Sequence, residues 1–170
     1  MAKSKKFTVR FRRRRESRTD YKARLRMLRG GKERVIVRKT NKYIIGQFIR
    51  SDEAKDKIIV GLSSKDLLDY GWPNEAKGSL KSLPASYLTG LLLGEKILDK
   101  EEKVNAVLDI GLIRNLKKSR IYSFLKGLID AGIKIPCKEE IFPDENRISG
   151  KHMKKNINFE KIKEKILKEY

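Results

Sequence analysis

The sequence predicts an α/β domain built on a mixed sheet, and three observations support this fold class. Three short β-branched segments follow one another between residues 34 and 62, which is typical of an antiparallel meander. A helical segment, a fourth β-type segment and a second helical segment then alternate, which favours a parallel addition to the sheet. Apolar residues make up 39% of the 170 residues, enough for one modest core.

The first three predicted strands are joined by short polar turns. They cover residues 34–39, 43–49 and 57–62, and the turn Thr40-Asn41-Lys42 separates the first two. A connection of this length between two β-type runs predicts a hairpin. The polar residues 51–56 lead from the second run to the third, so the three runs form a meander.

Two core helices and one more strand complete the predicted domain. Ser82, followed by Pro84, predicts the start of the first helix, in which Gly90 and Gly94 leave a strip where another element can approach closely. Residues 104–110 form the predicted fourth strand. The second helix has apolar side chains at i, i+3, i+4, i+7 and i+8 and a glycine at its carboxyl end: Ile121, Phe124, Leu125, Leu128, Ile129 and Gly132.

No core pattern is predicted after residue 135. Pro136 and Pro143 indicate a loop, and residues 148–158 are polar and basic. Asn158 is predicted to cap a last helix with a narrow apolar stripe, formed by Phe159, Ile162, Ile166 and Tyr170. We expect this extension to pack either on the domain or on a partner.

The formal net charge of +20 is concentrated at the amino-terminal end. Residues 1–50 contain 19 Lys and Arg against 3 Asp and Glu, residues 51–110 contain 8 against 11, and residues 111–170 contain 15 against 8. This asymmetry indicates a segment that attaches to a polyanion, nucleic acid first of all. We therefore predict a basic arm with a short helix at 1–31, an α/β core domain at 32–135 and a basic carboxy-terminal extension at 136–170.

The arm combines arginines with aromatic side chains. Its helix is predicted to begin after Thr19 or Asp20 and to end at Gly30. Guanidinium groups bind phosphates through two hydrogen bonds, and aromatic rings stack on unpaired bases. The predicted RNA-binding residues are Arg10, Arg12, Arg13, Arg14, Arg15, Arg18, Tyr21, Lys22, Arg24, Arg26 and Arg29, with Phe7 and Phe11 interleaved. Because like charges repel, we expect the isolated arm to be disordered and to order on RNA.

Smaller basic groups are candidates for secondary RNA contacts. They lie near the predicted hairpin, in the loop before the second core helix and in the extension: Arg38, Lys42, Arg114, Lys117, Lys118, Arg120, Arg147, Lys151, His152, Lys154 and Lys155. The loop before the helix is notable because helix N-termini offer free amides to a phosphate. An exposed position without a partner is the alternative for each of these residues.

Several other classes of protein do not fit. Cys137 is the only cysteine and His152 the only histidine, which excludes a disulfide framework and a cysteine-cluster zinc site. No apolar run is long enough for a secretory signal or a membrane span, so we expect a soluble cytosolic protein with no membrane partner. The sequence gives no sign of a cofactor or a small-molecule substrate, and we predict neither. Trp72 could stack on a base or dock on a protein partner, but we favour the interpretation that it covers the edge of the core.

A metal-dependent nuclease is the enzyme alternative. Asp109 ends a predicted strand, where α/β folds place metal-binding carboxylates, and Asp66, Glu95 and Asp130 are the available partners. Two-metal phosphoryl chemistry needs several carboxylates within a few ångströms, and the spacing of these residues shows no such convergence. We interpret Asp109 as a strand-end residue held by a turn or a basic neighbour, and predict no catalytic and no metal-binding residues.

Collinear stretches over most of the chain resemble the archaeal and eukaryotic branch of the large-subunit ribosomal protein L-eighteen family, called L-five in eukaryotes. They are residues 12–28 (RRRRESRTDYKARLRML), 34–47 (RVIVRKTNKYIIGQ), 70–72 (YGW), 85–94 (ASYLTGLLLG), 108–112 (LDIGL), 125–136 (LKGLIDAGIKIP) and 142–153 (FPDENRISGKHM). The chain departs from the family pattern in two places. Ser17-Arg18 replaces the usual Gly-Lys, and Cys137 replaces the usual His.

The resemblance implies a three-layer α/β domain of ribonuclease H-like topology without nuclease chemistry. It implies a non-enzymatic, cytoplasmic protein of the large ribosomal subunit that binds 5S ribosomal RNA and helps to seat it in the central protuberance. Large-subunit rRNA and neighbouring ribosomal proteins are the further implied partners. It also implies that Arg10, Arg12 to Arg15, Arg18, Tyr21, Lys22 and Arg24 lie on or near the RNA. A generic basic-arm protein that packages or chaperones nucleic acid is the second hypothesis, and the nuclease is the third.

Overall fold

The computed structural model describes residues 8–53, 55–101, 104–153 and 157–170. Helices α1 (Arg12–Arg15) and α2 (Tyr21–Arg29) precede strands β1 (Glu33–Lys39), β2 (Ile44–Asp52) and β3 (Lys55–Ser63). Helix α3 (Leu83–Leu98), strand β4 (Ala106–Asp109) and helices α4 (Arg120–Asp130), α5 (Glu145–Ile148) and α6 (Phe159–Glu169) follow, with short 3-10 helices at Ser64–Leu68, Asn74–Ser79 and Glu139–Ile141. None of the helices in the described ranges combines the length and apolar character needed to span a bilayer.

The strands of the described residues form one sheet in the order β3-β2-β1-β4. β2 pairs antiparallel with both β1 and β3, whereas β4 pairs parallel with β1. The turn between β1 and β2 is closed by Thr40, whose amide donates to the carbonyl oxygen of Tyr43 at 2.9 Å. The predicted α/β class, with an antiparallel meander followed by helix, strand and helix, is confirmed.

The side chains of the central strand β1 lie alternately on the two faces of the sheet, because successive side chains of a strand point in opposite directions. Val35 and Val37 are fully buried in the core that the sheet forms with α3 and α4. Ile36 instead lines a groove together with Ala23 and Met27 of α2. The arm helix therefore lies over the second face of the sheet, which gives three layers.

Helices α3 and α4 approach until their backbones touch, because glycines occupy the crossing. A Cβ atom added at Gly90 would lie 2.1 Å from the carbonyl oxygen of Phe124, and one at Gly127 would lie 2.2 Å from that of Tyr87. At Gly94 an added Cβ would lie 2.4 Å from the Cβ of Ala131. The close approach predicted from Gly90 and Gly94 is confirmed, and its partner is α4.

Gly90→Ala is expected to lower the free energy of unfolding by about 2–3 kcal/mol, because the new methyl group forces the two helices apart. Urea denaturation measures this change. Gly78→Ala is the matched control, since nothing lies within 4 Å of the Cβ position there, and we expect a change below about 1 kcal/mol. Similar losses for the two variants would contradict the close backbone contact.

The carboxy-terminal extension contributes to the core, so the prediction that no core pattern persists after residue 135 is wrong. Five of its apolar side chains are at most 8% exposed: Ile148, Ile157, Phe159, Ile162 and Ile166. The ring centroid of Phe159 lies 5.6 Å from that of Tyr87 on α3. Phe159, Ile162 and Ile166 belong to the predicted stripe of the last helix, whereas Ile148 and Ile157 are isolated apolar residues in a polar stretch and carry no periodic signal. Asn158 precedes α6 as predicted, but its side chain makes no capping hydrogen bond, and Tyr170 is exposed.

Candidate nucleic-acid interface

The amino-terminal arm presents its guanidinium groups on two short helices. Helix α1 consists of four consecutive arginines, and neither α1 nor α2 contains a buried residue. Asp20 caps α2 as predicted, because its side chain accepts hydrogen bonds from the amides of Lys22 and Ala23, each at 3.0 Å. Helix α2 ends at Gly30, as predicted.

The turn between α1 and α2 is held by Arg13. Its Nε–H donates to Oγ1 of Thr19 at 2.8 Å, and its Nη2 donates to the carbonyl oxygen of Arg18 at 3.3 Å. Ser17 has a φ of 51°, in the left-handed region that glycine adopts without strain. Serine adopts this backbone only at a conformational cost.

Carboxylates neutralise only part of the charge of the arm. Glu16 lies 3.0 Å from Nε of Arg18 and 4.0 Å from Nε of Arg12. No carboxylate in the described ranges forms a salt bridge with the other predicted RNA-binding cations at the outer surface: Arg10, Arg13, Arg14, Arg15, Lys22, Arg26 and Arg29. Their charge is available to a polyanion.

A charge network that sequence reasoning missed joins the arm to the sheet. Arg34 on β1 is only 1% exposed, and its Nη1 donates to Oδ2 of Asp109 at 3.1 Å. Its Nη2 donates to Oδ1 of Asp56 at 2.6 Å and to Oγ of Ser51 at 2.8 Å. The other oxygen of Asp56 accepts from Arg24 of α2 at 2.8 Å. Asp56 therefore ties the arm helix to a buried arginine of the sheet.

This network bears on two expectations about the arm. Arg24, predicted to contact RNA, has a guanidinium nitrogen held by Asp56. Residues 8–31 form two helices, which are held by the cap at Asp20, the turn bonds of Arg13 and the ion pair of Arg24; that the isolated arm is disordered without RNA stays a prediction. Repulsion alone did not reveal these local contacts.

The Asp56 carboxyl is stabilised in its charged form. Partial burial raises its pKa, but hydrogen bonds from Arg24, Ser51 and Arg34 outweigh burial and lower the pKa to about 2. Its pKa in the unfolded chain is about 3.9, so the stabilisation is fully present above about pH 5 and is lost as the pH falls through 4 towards 2.

We therefore expect the free energy of unfolding to decrease between about pH 5 and pH 2, as measured by urea denaturation at a series of pH values. Asp56→Asn removes the titrating group, so this variant should be less stable than the wild type at pH 7 and should lose less stability on acidification. An equal acid-induced loss in both proteins would mean that other carboxyls cause it.

The arm and the sheet enclose a groove of about 640 Å³. Arg13, Arg18 and Tyr21 line it from the arm, and Arg38 lines it from the end of β1. Nη1 of Arg38 donates to the carbonyl oxygen of Val37 at 3.1 Å, which holds the side chain along this wall. The groove thus brings together basic residues predicted separately for the arm and the hairpin, whereas Lys42 lies exposed in the turn between β1 and β2.

Two aromatic rings lie together beside the arginines. The ring centroids of Phe11 and Tyr21 are 5.8 Å apart and their planes are inclined by 36°. Phe11 is 74% exposed, so its face is open to an unpaired base, a contact typical of single-stranded RNA recognition. Phe7, the third aromatic residue of the arm, lies outside the described residues.

A second basic surface, which we call the helix-start cavity, lies where α3 and α4 begin. This cavity of about 470 Å³ is lined by residues that the sequence assigned to separate groups, among them Arg114, Lys118, Arg120, Arg147 and His152. The remaining secondary candidates lie elsewhere: Lys117 is 3.5 Å from Glu140, Lys151 lines a cavity with Asp130, and Lys154 and Lys155 fall outside the described residues.

Asp109, the carboxylate considered for a nuclease, has structural partners on both oxygens. Its Oδ1 accepts the amide of Gly111 at 2.8 Å, and its Oδ2 accepts from Arg34. The interpretation of Asp109 as a strand-end residue held by a turn and a basic neighbour is confirmed.

The other carboxylates lie in different settings. Asp66 accepts the amide of Ser63 at 3.0 Å in a capping box, and Asp130 accepts the hydroxyl of Tyr87 at 2.8 Å. Burial raises the pKa of Glu95. Within the ranges that the structure describes, no group of three or more His, Cys, Asp or Glu side chains could hold a metal ion.

Trp72 and Cys137 have no catalytic setting either. Trp72 is 2% exposed and its Nε1–H donates to the carbonyl oxygen of Ala76 at 3.1 Å, which confirms that it covers the core. Partial burial and the charge of Glu139 raise the pKa of the Cys137 thiol. A raised pKa keeps the thiol protonated at neutral pH, and the protonated thiol is a poor nucleophile.

Comparisons with known proteins agree with the resemblance seen in the sequence. The profile of a family described as "Ribosomal large subunit proteins 60S L5, and 50S L18" matches residues 5–103 and 95–138. The "Large ribosomal subunit protein uL18" of Korarchaeum cryptofilum (strain OPF8) is 48% identical over 153 residues, which cover 90% of this chain and 76% of that protein. The protein of the same name from Methanococcus maripaludis is 46% identical over 154 residues, which cover 91% and 77%.

Proposed function

Since the chain belongs to the family of ribosomal large subunit proteins 60S L5 and 50S L18, we propose that it binds 5S ribosomal RNA and helps to attach this RNA to the large subunit in the central protuberance. It is a structural protein of the large ribosomal subunit and not an enzyme, which ends the nuclease hypothesis. It acts in the cytoplasm, within the ribosome, and its further partners are large-subunit rRNA and neighbouring ribosomal proteins.

The unpaired cations of the arm carry the proposal. One of them, Arg13, lines the groove together with Tyr21, whose ring contacts the exposed ring of Phe11. Arginine forks bind phosphates while the rings accept splayed bases, and RNA loops offer both groups together. If the protein neutralises about eight phosphates, log K falls with log[salt] at a slope of about −6 to −7.

The three parts of the chain have different roles in this proposal. Residues 1–31 form the RNA-binding arm, and the link from Arg24 to Asp56 sets the direction in which the arm leaves the sheet. Residues 32–135 form the core domain that carries the arm. Residues 136–170 brace α3 from outside through the buried face of α6.

A competition assay tests the proposal. The full chain is bound to labelled 5S RNA at several salt concentrations and challenged with unlabelled 5S RNA or with random duplex DNA of equal length. We expect the duplex to compete at least 10-fold less well at 0.15 M salt, because single-stranded loops are absent from it. Equal competition at every salt concentration would support the generic packaging protein instead.

A further inference from the structure

The first turns of α3 and α4 lie side by side around the helix-start cavity. The N-cap residues of the two helices, Ser82 and Ser119, both line it. Oγ–H of Ser123 on α4 donates to the carbonyl oxygen of Leu83 on α3 at 2.8 Å, which fixes the two helix starts together. Each helix start has a partial positive charge, and the first turn of α4 also has backbone amides that no N-cap side chain occupies, so both helix starts favour an anion in this cavity.

The two N-cap serines differ in their hydrogen bonds. Oγ of Ser82 accepts the amide of Ala85 at 3.4 Å, an ordinary cap. Ser119 makes no side-chain capping bond, and its Oγ is shielded from solvent without a hydrogen-bond partner in the part of the chain that the structure describes. A shielded hydroxyl without a partner costs free energy. Ser119 lines the cavity, so a rotation about its χ1 angle would offer this hydroxyl to a ligand that enters there.

The remaining walls of the cavity are basic. Its lining contains six basic side chains and no carboxylate: Lys39, Arg114, Lys118, Arg120, Arg147 and His152. Lys118 lies 2.9 Å from Asp144, and no carboxylate of the described residues forms a salt bridge with the other five. Cations gathered without counter-charges repel one another, so an anion that enters the cavity relieves this repulsion.

The helix-start cavity adjoins the groove of the arm. Ile113 lines both. At the end of β1, Arg38 lines the groove and the next residue, Lys39, lines the helix-start cavity. A polyanion bound along the groove needs only to cross residues 111–114 to reach the cavity.

We propose that the helix-start cavity is a second phosphate site, which binds a backbone phosphate of the RNA strand held by the arm. This inference rests on the proposed RNA-binding function. Ser119 Oγ–H and the first amides of α4 donate to the phosphate oxygens, and the Arg120 and Arg147 guanidinium groups supply the positive charge. The site is built on rigid helix starts, so it fixes the angle between the core domain and the RNA that the arm has bound.

The first test measures the salt dependence of 5S RNA binding by the full-length Arg120→Gln/Arg147→Gln variant. Arg120 and Arg147 act on one phosphate, so the loss of this contact is expected to reduce the slope of log K against log[salt] by about 0.7–0.9, which lowers the affinity about 4- to 5-fold at 0.15 M salt. Lys161→Gln/Lys168→Gln is the matched control, because it removes the same charge from exposed positions on α6. An equal change of slope in both variants would overturn the second site.

The second test uses Ser119→Ala with Ser82→Ala as its comparison. Because Ser119 caps nothing and its shielded hydroxyl costs free energy, its replacement should leave the midpoint of urea denaturation unchanged or raise it, whereas replacing Ser82 should lower the midpoint. Ser119→Ala should still weaken 5S RNA binding about 3- to 10-fold, since it removes a donor to the phosphate. Unchanged RNA affinity, or a loss of stability equal to that of Ser82→Ala, would overturn the assignment of Ser119.

Two further measurements are needed. One distinguishes a site for an RNA phosphate from a site for free inorganic phosphate, and the other distinguishes a failure of this site from a failure of the proposed function. The first measurement adds 10 mM inorganic phosphate at matched ionic strength and compares the melting temperatures of the wild type and Arg120→Gln/Arg147→Gln. If phosphate raises the melting temperature of the wild type alone while both proteins bind 5S RNA equally, the cavity binds free phosphate. The assignment to an RNA phosphate is then overturned. If the wild type prefers 5S RNA to duplex DNA and all cavity variants bind like it, the second site alone fails. If the wild type shows no such preference, the proposed function itself fails.

Discussion

Replacing Arg12, Arg13, Arg14 and Arg15 together by glutamine is expected to lower the affinity for 5S RNA about 10²- to 10³-fold at 0.15 M salt. Each phosphate contact contributes about 0.7 to 0.9 to the salt slope, so four lost contacts reduce it by about 3 to 3.5. Helix α1 has no buried residue, so the substitutions should leave the folded core intact. Fluorescence anisotropy over a range of salt concentrations measures both the affinity and the slope.

The matched control replaces the four lysines of α6, Lys161, Lys163, Lys165 and Lys168, by glutamine. Both variants lose four charges, and therefore the same long-range attraction to RNA, but only the first loses the proposed contacts. We expect the α6 variant to bind a few-fold more weakly with a nearly unchanged slope, because distant charges are screened beyond about 8 Å at physiological salt. Equal slopes for the two variants would mean that net charge, and not the arm, holds the RNA.

The elements of the core were predictable because their signals are local. Asp20 and Ser82 cap helices at their own positions, and the spacing of apolar residues from Ile121 to Ile129 describes one face of one helix. A close approach of some other element to α3 was also visible in Gly90 and Gly94. Which helix lies against these glycines was not, because Gly127 is an unremarkable residue until the fold brings it there.

The parts of the interface that sequence reasoning missed depend on contacts between distant residues. Arg34 has the same appearance as any cation in a β-type run, and its partners Asp56 and Asp109 lie 22 and 75 positions away. The basic residues before α4 and those in the extension were assigned to separate groups for the same reason. The arginine-led arm was recognisable because its composition alone identifies it.

Arg34→Met is expected to lower the free energy of unfolding by about 3–5 kcal/mol at pH 7, because it leaves the carboxylate of Asp109 buried without its charge partner. Methionine fills a similar volume, so the loss reports the missing charge and hydrogen bonds more than a cavity. Urea denaturation measures the change. Arg50→Met is the control: Arg50 also contacts two carboxylates, those of Glu33 and Glu101, but its side chain is 51% exposed. We expect a loss below about 1 kcal/mol for this variant.

Two measurements distinguish a stranded charge from a simple loss of packing. The destabilisation by Arg34→Met should shrink at pH 4, because an unpaired buried carboxyl has a raised pKa and becomes neutral as the pH falls. The double variant Arg34→Met/Asp109→Asn should recover part of the loss at pH 7, since it removes the stranded charge, whereas two packing defects would add. A pH-independent loss that adds to that of Asp109→Asn would contradict the network.

Because Asp56 joins Arg34 to Arg24, Arg34→Met should also weaken 5S RNA binding without altering any exposed cation of the arm.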